Sequence, residues 1–179
     1  ARFDFAQNKG EPDSDAMLLA NWIFGGSTGL SNRLMLRLRQ KDGLSYGAGS
    51  NVNIPAFGND ASWTMQAILA PQNLRKAEVA LYEEIDRVIK DGFTQEELDE
   101  AKKGFIEYRA VNRSQDNLVA YHWVQMMNEG LDWTEAEDRD TTIRNLTLEE
   151  VNAAFRKMVN RDQLTVVLAG DQKKAMTQE

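Results

Sequence analysis

His122 is the only histidine in a 179-residue chain that has no cysteine. A catalytic zinc ion is typically held by two or three histidines with a carboxylate or thiolate, so these counts argue against such a site on this chain. The missing thiols also exclude disulfides, iron–sulfur clusters and cysteine nucleophiles. His122 therefore reads as a structural histidine, buried or half-exposed, on a helix between Tyr121 and Trp123. The acidic stretches Glu83-Glu84, Glu96-Glu97 with Asp99-Glu100, and Glu135 to Asp140 read as helix surface rather than as a carboxylate-only metal site.

The basic residues offer a second set of candidates. Arg33, Arg37 and Lys41 recur every four residues and read as one solvated helical face. Arg39 points elsewhere on that helix. It sits in the last turn, where a cation gains from the helix dipole. Tyr46 follows seven residues later. By alternation it groups with Leu44 and Val52, as a half-buried structural tyrosine. The turn Gly25-Gly26-Ser27-Thr28-Gly29 resembles a phosphate loop only superficially. It follows a helix and has no lysine before Ser or Thr, so it reads as a flexible connector.

These residues must be positioned by a regular sequence of elements. Residues 2–7 alternate and predict a strand, and residues 15–24 predict a largely buried helix ended by Gly25-Gly26. A helix over 31–41, with Ser31 as N-cap, leads through the Asp42-Gly43 turn signal into a strand over 44–54. A strand over 61–70 completes a hairpin with it. Helical spacing then runs from Leu74 to Gly92. Capping-box patterns start helices at Thr94 with Glu97, Thr134 with Glu137, and Thr147 with Glu150. Another helix carries Leu118, Tyr121 and Val124, and residues 163–169 predict a closing strand. The order predicts one α+β domain over 1–179: a two-layer sandwich, its mostly antiparallel sheet covered on one face by helices.

Composition narrows the partners. The net charge is -7, which argues against nucleic acid, since a binder needs a basic face for phosphates. No apolar run approaches the roughly 20 residues of a membrane span. The chain opens at Ala1 without an initiator methionine or a signal-peptide pattern, and already alternates. It is expected to be a processed piece or one module of something longer.

The segment "SNRLMLRLRQKDGLSYGAGS", Ser31 to Ser50, resembles the pitrilysin/insulinase family of zinc peptidases, the inverzincins. There a helix bearing Arg runs through a short turn into a strand bearing Tyr, and the matching pair here is Arg39 and Tyr46. "DAMLLANWIFGG", "TQEELDEAKKGF" and "LTLEEVNAAFRKMVNRDQLTVVLAGD" resemble the preceding helix, a downstream helix and the domain ending. The likeness covers residues 13–171, with the first strand or strands of a full domain shortened or missing. In that family, homologous domains pair around an enclosed chamber, and one carries the zinc motif H-x-x-E-H. That motif is absent here. The resemblance therefore implies the zinc-free partner domain of a zinc endopeptidase, with no metal on this chain and zinc on the partner domain. That domain is expected on the same polypeptide or on a separate subunit. Peptide is the implied substrate, Tyr46 the implied oxyanion donor and Arg39 the implied anchor for a substrate carbonyl. The alternatives are a non-catalytic scaffold or processing-peptidase-like subunit of the same fold, and a generic α+β binding module. A bacterial periplasm fits these features best, and the cytoplasm fits them too.

Overall fold

Alternating apolar residues build the sheet, and the helices cover its apolar face. The computed structural model describes residues 1–27, 31–171 and 173. Strands β1 (Arg2–Phe5), β2 (Ser45–Asn53) and β3 (Ala61–Leu69) form an antiparallel sheet in the order β1-β3-β2. Phe3 pairs with Trp63 and Val52 with Trp63, so one row of side chains faces the helices. Trp63, Met65, Val52 and Phe3 are all buried there. Thr64, Gln66 and Ile68 alternate with them and look out from the open face.

Seven helices follow from the described residues. These are α1 (Ser14–Asn21), continued by a π-helical turn at Trp22–Gly26, and α2 (Arg33–Met35), continued by another at Leu36–Lys41. Then come α3 (Leu74–Asp91), α4 (Gln95–Arg113), α5 (Asp116–Glu129), α6 (Trp133–Asn145) and α7 (Leu148–Met158). The core is an aromatic stack on the sheet. Trp63 meets Phe24 at 4.8 Å and Phe155 at 5.5 Å, and Phe155 meets Phe93 at 5.3 Å between ring centroids. Full burial of such a side chain contributes roughly 1.5–3 kcal/mol. The α+β reading, with helices on one face, describes this architecture.

Three side chains fix helix to sheet. The buried side-chain amide oxygen of Asn21 accepts from the indole N–H of Trp63 at 2.8 Å and from the Ser50 hydroxyl at 2.7 Å. Beside it the end of α1 presses on β2. A Cβ on Gly25 would lie 2.8 Å from the Ser50 backbone nitrogen, so no larger residue fits without movement.

The arginine face of α2 is not the solvated surface that its four-residue spacing predicts. Arg33 is nearly buried and grips Glu97 through both carboxylate oxygens, at 2.7 and 2.8 Å, and reaches Glu84 at 3.3 Å. Arg37 pairs with Asp42 at 2.7 Å and with Glu83. Glu84 was in turn expected on a helix surface, yet it is buried. It falls on the apolar stripe of Ala77, Ala80, Ile85 and Val88, and so faces inward, where Arg33 and Arg87 compensate its charge.

Several local expectations shift. The capping boxes at Thr94 and Thr147 are present. The one expected at Thr134 with Glu137 lies two residues earlier, because Asp132 accepts from the Thr134 N–H and Glu135 accepts from that of Asp132. Asn32, not Ser31, caps α2, accepting from the Met35 N–H at 2.9 Å. The closing strand over 163–169 reduces to one bridge, in which Arg2 and Thr165 exchange backbone bonds at 2.9 Å. Gln163 is wound into a 3₁₀ turn, so the register that places Asp4 near it finds no extended partner. Thr28 and Gly29 of the glycine-rich turn lie outside the described residues.

Two stability predictions follow from these contacts. Asn21→Ala strands the buried Trp63 indole N–H, which costs about 1–3 kcal/mol, and urea unfolding should show a correspondingly lower midpoint. Burial pushes the Glu97 carboxyl upward, but the Arg33 fork and Thr94 outweigh it and hold it below the usual range. A carboxylate lowered in the folded state adds stability above its unfolded pKa, about 4.3. That stability is lost as pH falls through the lower folded value. Glu97→Gln should therefore melt below wild type at pH 7, and the two melting temperatures should converge in acid.

Candidate functional site

The chain between α2 and β2 brings Arg39 and Tyr46 together. Leu36–Lys41 is wound with a wider repeat than an α-helix, and the Asp42 N–H reaches back to the Arg37 carbonyl at 3.1 Å. π-helical turns of this kind often mark functional sites because they re-aim side chains. Arg33 and Arg37 turn toward α3 and α4, while Arg39 stays exposed at the helix end. Gly43, at φ 61°, then reverses the chain in a conformation that glycine adopts without strain. Asn73 pins the turn by donating to the Leu44 carbonyl at 3.0 Å.

At the start of β2 the register slips by one residue. Ser45 lies opposite Leu69, but Gly47 already lies opposite Ile68, so Tyr46 is an extra residue. This is a β-bulge, and it moves everything before it to the opposite face. Tyr46, expected half-buried with Leu44 and Val52, is instead 81% exposed. Ser45 takes the inward place and is buried. The glycine directly after Tyr46 carried the available signal, since glycine inside a strand pattern often marks a bulge.

The Arg39 guanidinium carbon lies 5.5 Å from the centre of the Tyr46 ring. That is within cation–π range. Both residues are exposed, so the guanidinium N–H groups and the phenol O–H border one accessible surface. All of these groups are hydrogen-bond donors. The pair is therefore chemically suited to a carbonyl oxygen or an anionic oxygen. The outer edge of β2 beside it is covered, since the Ala48 N–H reaches the sulfur of the buried Met35 at 3.2 Å.

His122 lies away from this pair. It is exposed on α5 and borders a cleft of about 590 Å³ between α4, α5 and α6, whose lining includes neither Arg39 nor Tyr46. Several of the charges around that cleft are matched in ion pairs. Arg109 and Arg113 hold Asp140, and Arg139 holds Asp15 at 2.9 Å. Burial pushes the Asp140 carboxyl up, but its two arginines outweigh that and hold it below the usual range. Asp140, expected on a helix surface, is buried one turn before Ile143 on the inward stripe of α6. Among the described residues no three histidines, aspartates or glutamates are grouped to hold a metal ion. The residues present do not fit a zinc site. No described helix is long and apolar enough to cross a membrane.

Known proteins share both the sequence pattern and the fold. The family model described as the peptidase M16 inactive domain matches residues 3–105, which include Arg39 and Tyr46. A Helicobacter pylori protein named as the non-peptidase homologue YmxG is 28% identical over 157 residues, covering 86% of this chain and 34% of that protein. The crystal structure of a peptidase M16 inactive domain from Pseudomonas fluorescens superposes with a TM-score of 0.77 at 26% identity, covering 90% of this chain and 38% of that one. The periplasmic protease PqqL from Escherichia coli shares the fold, with a TM-score of 0.70 at 14% identity, over 88% of this chain and 17% of that one. The chain thus spans about a third of the length of the first two. The resemblance to the pitrilysin/insulinase peptidases is borne out: the chain belongs to the family of peptidase M16 inactive domains.

Proposed function

We propose that this chain is the zinc-free partner domain of a zinc endopeptidase, one module of a longer protein or assembly, and that Arg39 and Tyr46 bind the substrate's peptide carbonyl. The observation that carries this reading is the stacked pair on an open surface, 5.5 Å apart. Peptide hydrolysis builds negative charge on the carbonyl oxygen. Preorganised donors aimed at that oxygen lower the barrier, by about 2.7–4 kcal/mol for a single well-placed one. In this reading the Tyr46 hydroxyl donates to the oxygen under attack. The Arg39 fork, always charged and rigid, holds a neighbouring carbonyl.

Neither side chain can supply the nucleophile. This chain's residues do not fit the metal, so a homologous partner domain would bring the zinc and whatever it activates. Stacking has a further use. The guanidinium over the ring restricts both side chains, so less conformational freedom is lost when a carbonyl arrives.

The likeness to a protein named as a non-peptidase homologue favours a second reading, a scaffold of the same fold. Mutagenesis separates the two. In the complete protein, Tyr46→Phe should lower kcat roughly 10²-fold, the scale of one lost oxyanion donor, with KM little changed. Arg39→Lys should also lose activity, because a point charge does not replace a fork. If both variants turn over substrate like wild type, or the complete protein cleaves no peptide, the scaffold reading stands instead. The chain on its own should cleave no peptide and show no tight zinc binding in calorimetry. Zinc-dependent cleavage by the isolated chain would refute the assignment of the metal to a partner.

A further inference from the structure

We infer that Ser45 is the positioning residue of this site, because its hydroxyl locks the bulge that holds Tyr46 on the open face. The inference rests on the proposed role of Tyr46. An extra residue in one strand breaks the ladder locally and leaves backbone groups without their usual partners. Here one side chain replaces them. The Ser45 hydroxyl oxygen accepts from the Gly47 N–H at 3.1 Å, and its single hydrogen is within reach of the Gly47 carbonyl at 2.8 Å and the Ile68 carbonyl at 2.9 Å.

These contacts straddle Tyr46. Two reach the residue just after it, and the third crosses to the strand residue opposite the bulge. Ser45 is only 7% exposed and cannot touch a substrate on the open face. Its effect must pass through the backbone of Tyr46. Without the hydroxyl, the Gly47 N–H loses its acceptor in a half-buried position. The alternative register then gains ground, with Tyr46 opposite Leu69 and its ring on the helix side. Serine fits this task through its size as well as its chemistry. It is small enough to be buried against the hairpin, and one oxygen both accepts and donates.

Two variants remove the hydroxyl at little change in volume, Ser45→Ala and Ser45→Cys, and Ser45→Thr retains it. In the complete protein, Ser45→Ala and Ser45→Cys should lower kcat by up to roughly a hundredfold, the scale of a 1 Å misplacement, with KM little moved. Combined with Tyr46→Phe, either should cost almost nothing more, since both act through one phenol. Ser45→Thr should keep most of the turnover. By hydrogen exchange, the Gly47 amide should be deprotected in the alanine and cysteine variants and protected in the threonine variant. If Ser45→Ala fails to fold, Ser45→Cys carries the same test. Wild-type kcat in the cysteine variant, where Tyr46→Phe alone is slow, would overturn the inference about Ser45 and leave Tyr46 in place. A Ser45→Thr protein as slow as the cysteine variant would also overturn it, since the hydroxyl would then not be what matters. Wild-type kcat in Tyr46→Phe would instead remove the proposed role of Tyr46, and the positioning role would fall with it.

Discussion

Side chains on a strand alternate strictly, so one extra residue in a ladder reverses the facing of all that precede it. At the start of β2 that extra residue is Tyr46, and the site depends on this slip. In an uninterrupted ladder Tyr46 would oppose Leu69 and its ring would join the helix-side layer. Its hydroxyl would then need a partner in apolar surroundings, where an unpaired one costs about 1–3 kcal/mol. The bulge keeps the hydroxyl at the surface and gives the inward place to a smaller hydroxyl, that of Ser45, which has its partners at hand.

Arg39 depends on a different constraint. It sits at the exposed end of a short helix, and such an end would drift unless the helix were held along its length. Arg33 and Arg37 hold it, through Glu97 and Glu84 on one side and Asp42 and Glu83 on the other. Ion pairs as enclosed as that of Arg33 are weak evidence of stability, because desolvation offsets the attraction. Their contribution is geometric. The Glu97 carboxylate accepts a rigid two-pronged fork while also closing the capping box of α4, so α2 and α4 share one fixed point. A mispositioned α2 would leave buried charge without compensation.

Much of this was legible in the sequence. The hairpin follows from the alternation of Trp63 and Met65 against Thr64 and Gln66, and the long helices follow from their stripes and from Thr94 and Thr147. The family pattern pointed to Arg39 and Tyr46 together. What alternation could not show was the facing of Tyr46, because parity counting assumes an unbroken ladder. The inward turn of Glu84 was hidden for a related reason. A carboxylate is read as surface by its type, although its spacing from Ala80, Ile85 and Val88 places it on the buried stripe. The closing strand failed because β-branched residues state a preference, while a ladder also needs an extended partner in register, and Arg2 alone supplies one for Thr165.

Under the proposed role of Arg39 and Tyr46, the open face is what would separate a working site from a retained fold. An exposed tyrosine is unremarkable in itself, since much of any protein surface is apolar. Here the exposure is maintained by other features, each of which a purely structural sheet could do without. A regular strand would need no bulge and no buried serine to stitch it. A helix end would need no widened turn to aim an arginine across the neighbouring ring. Burying that ring would add roughly 1.5–3 kcal/mol, but about 1–3 kcal/mol of that would be offset by its unpaired hydroxyl, so exposure costs the fold little. If the pair binds a substrate oxygen as proposed, the bulge and the exposed ring have a use, whereas a scaffold could close the bulge and lose only that contact.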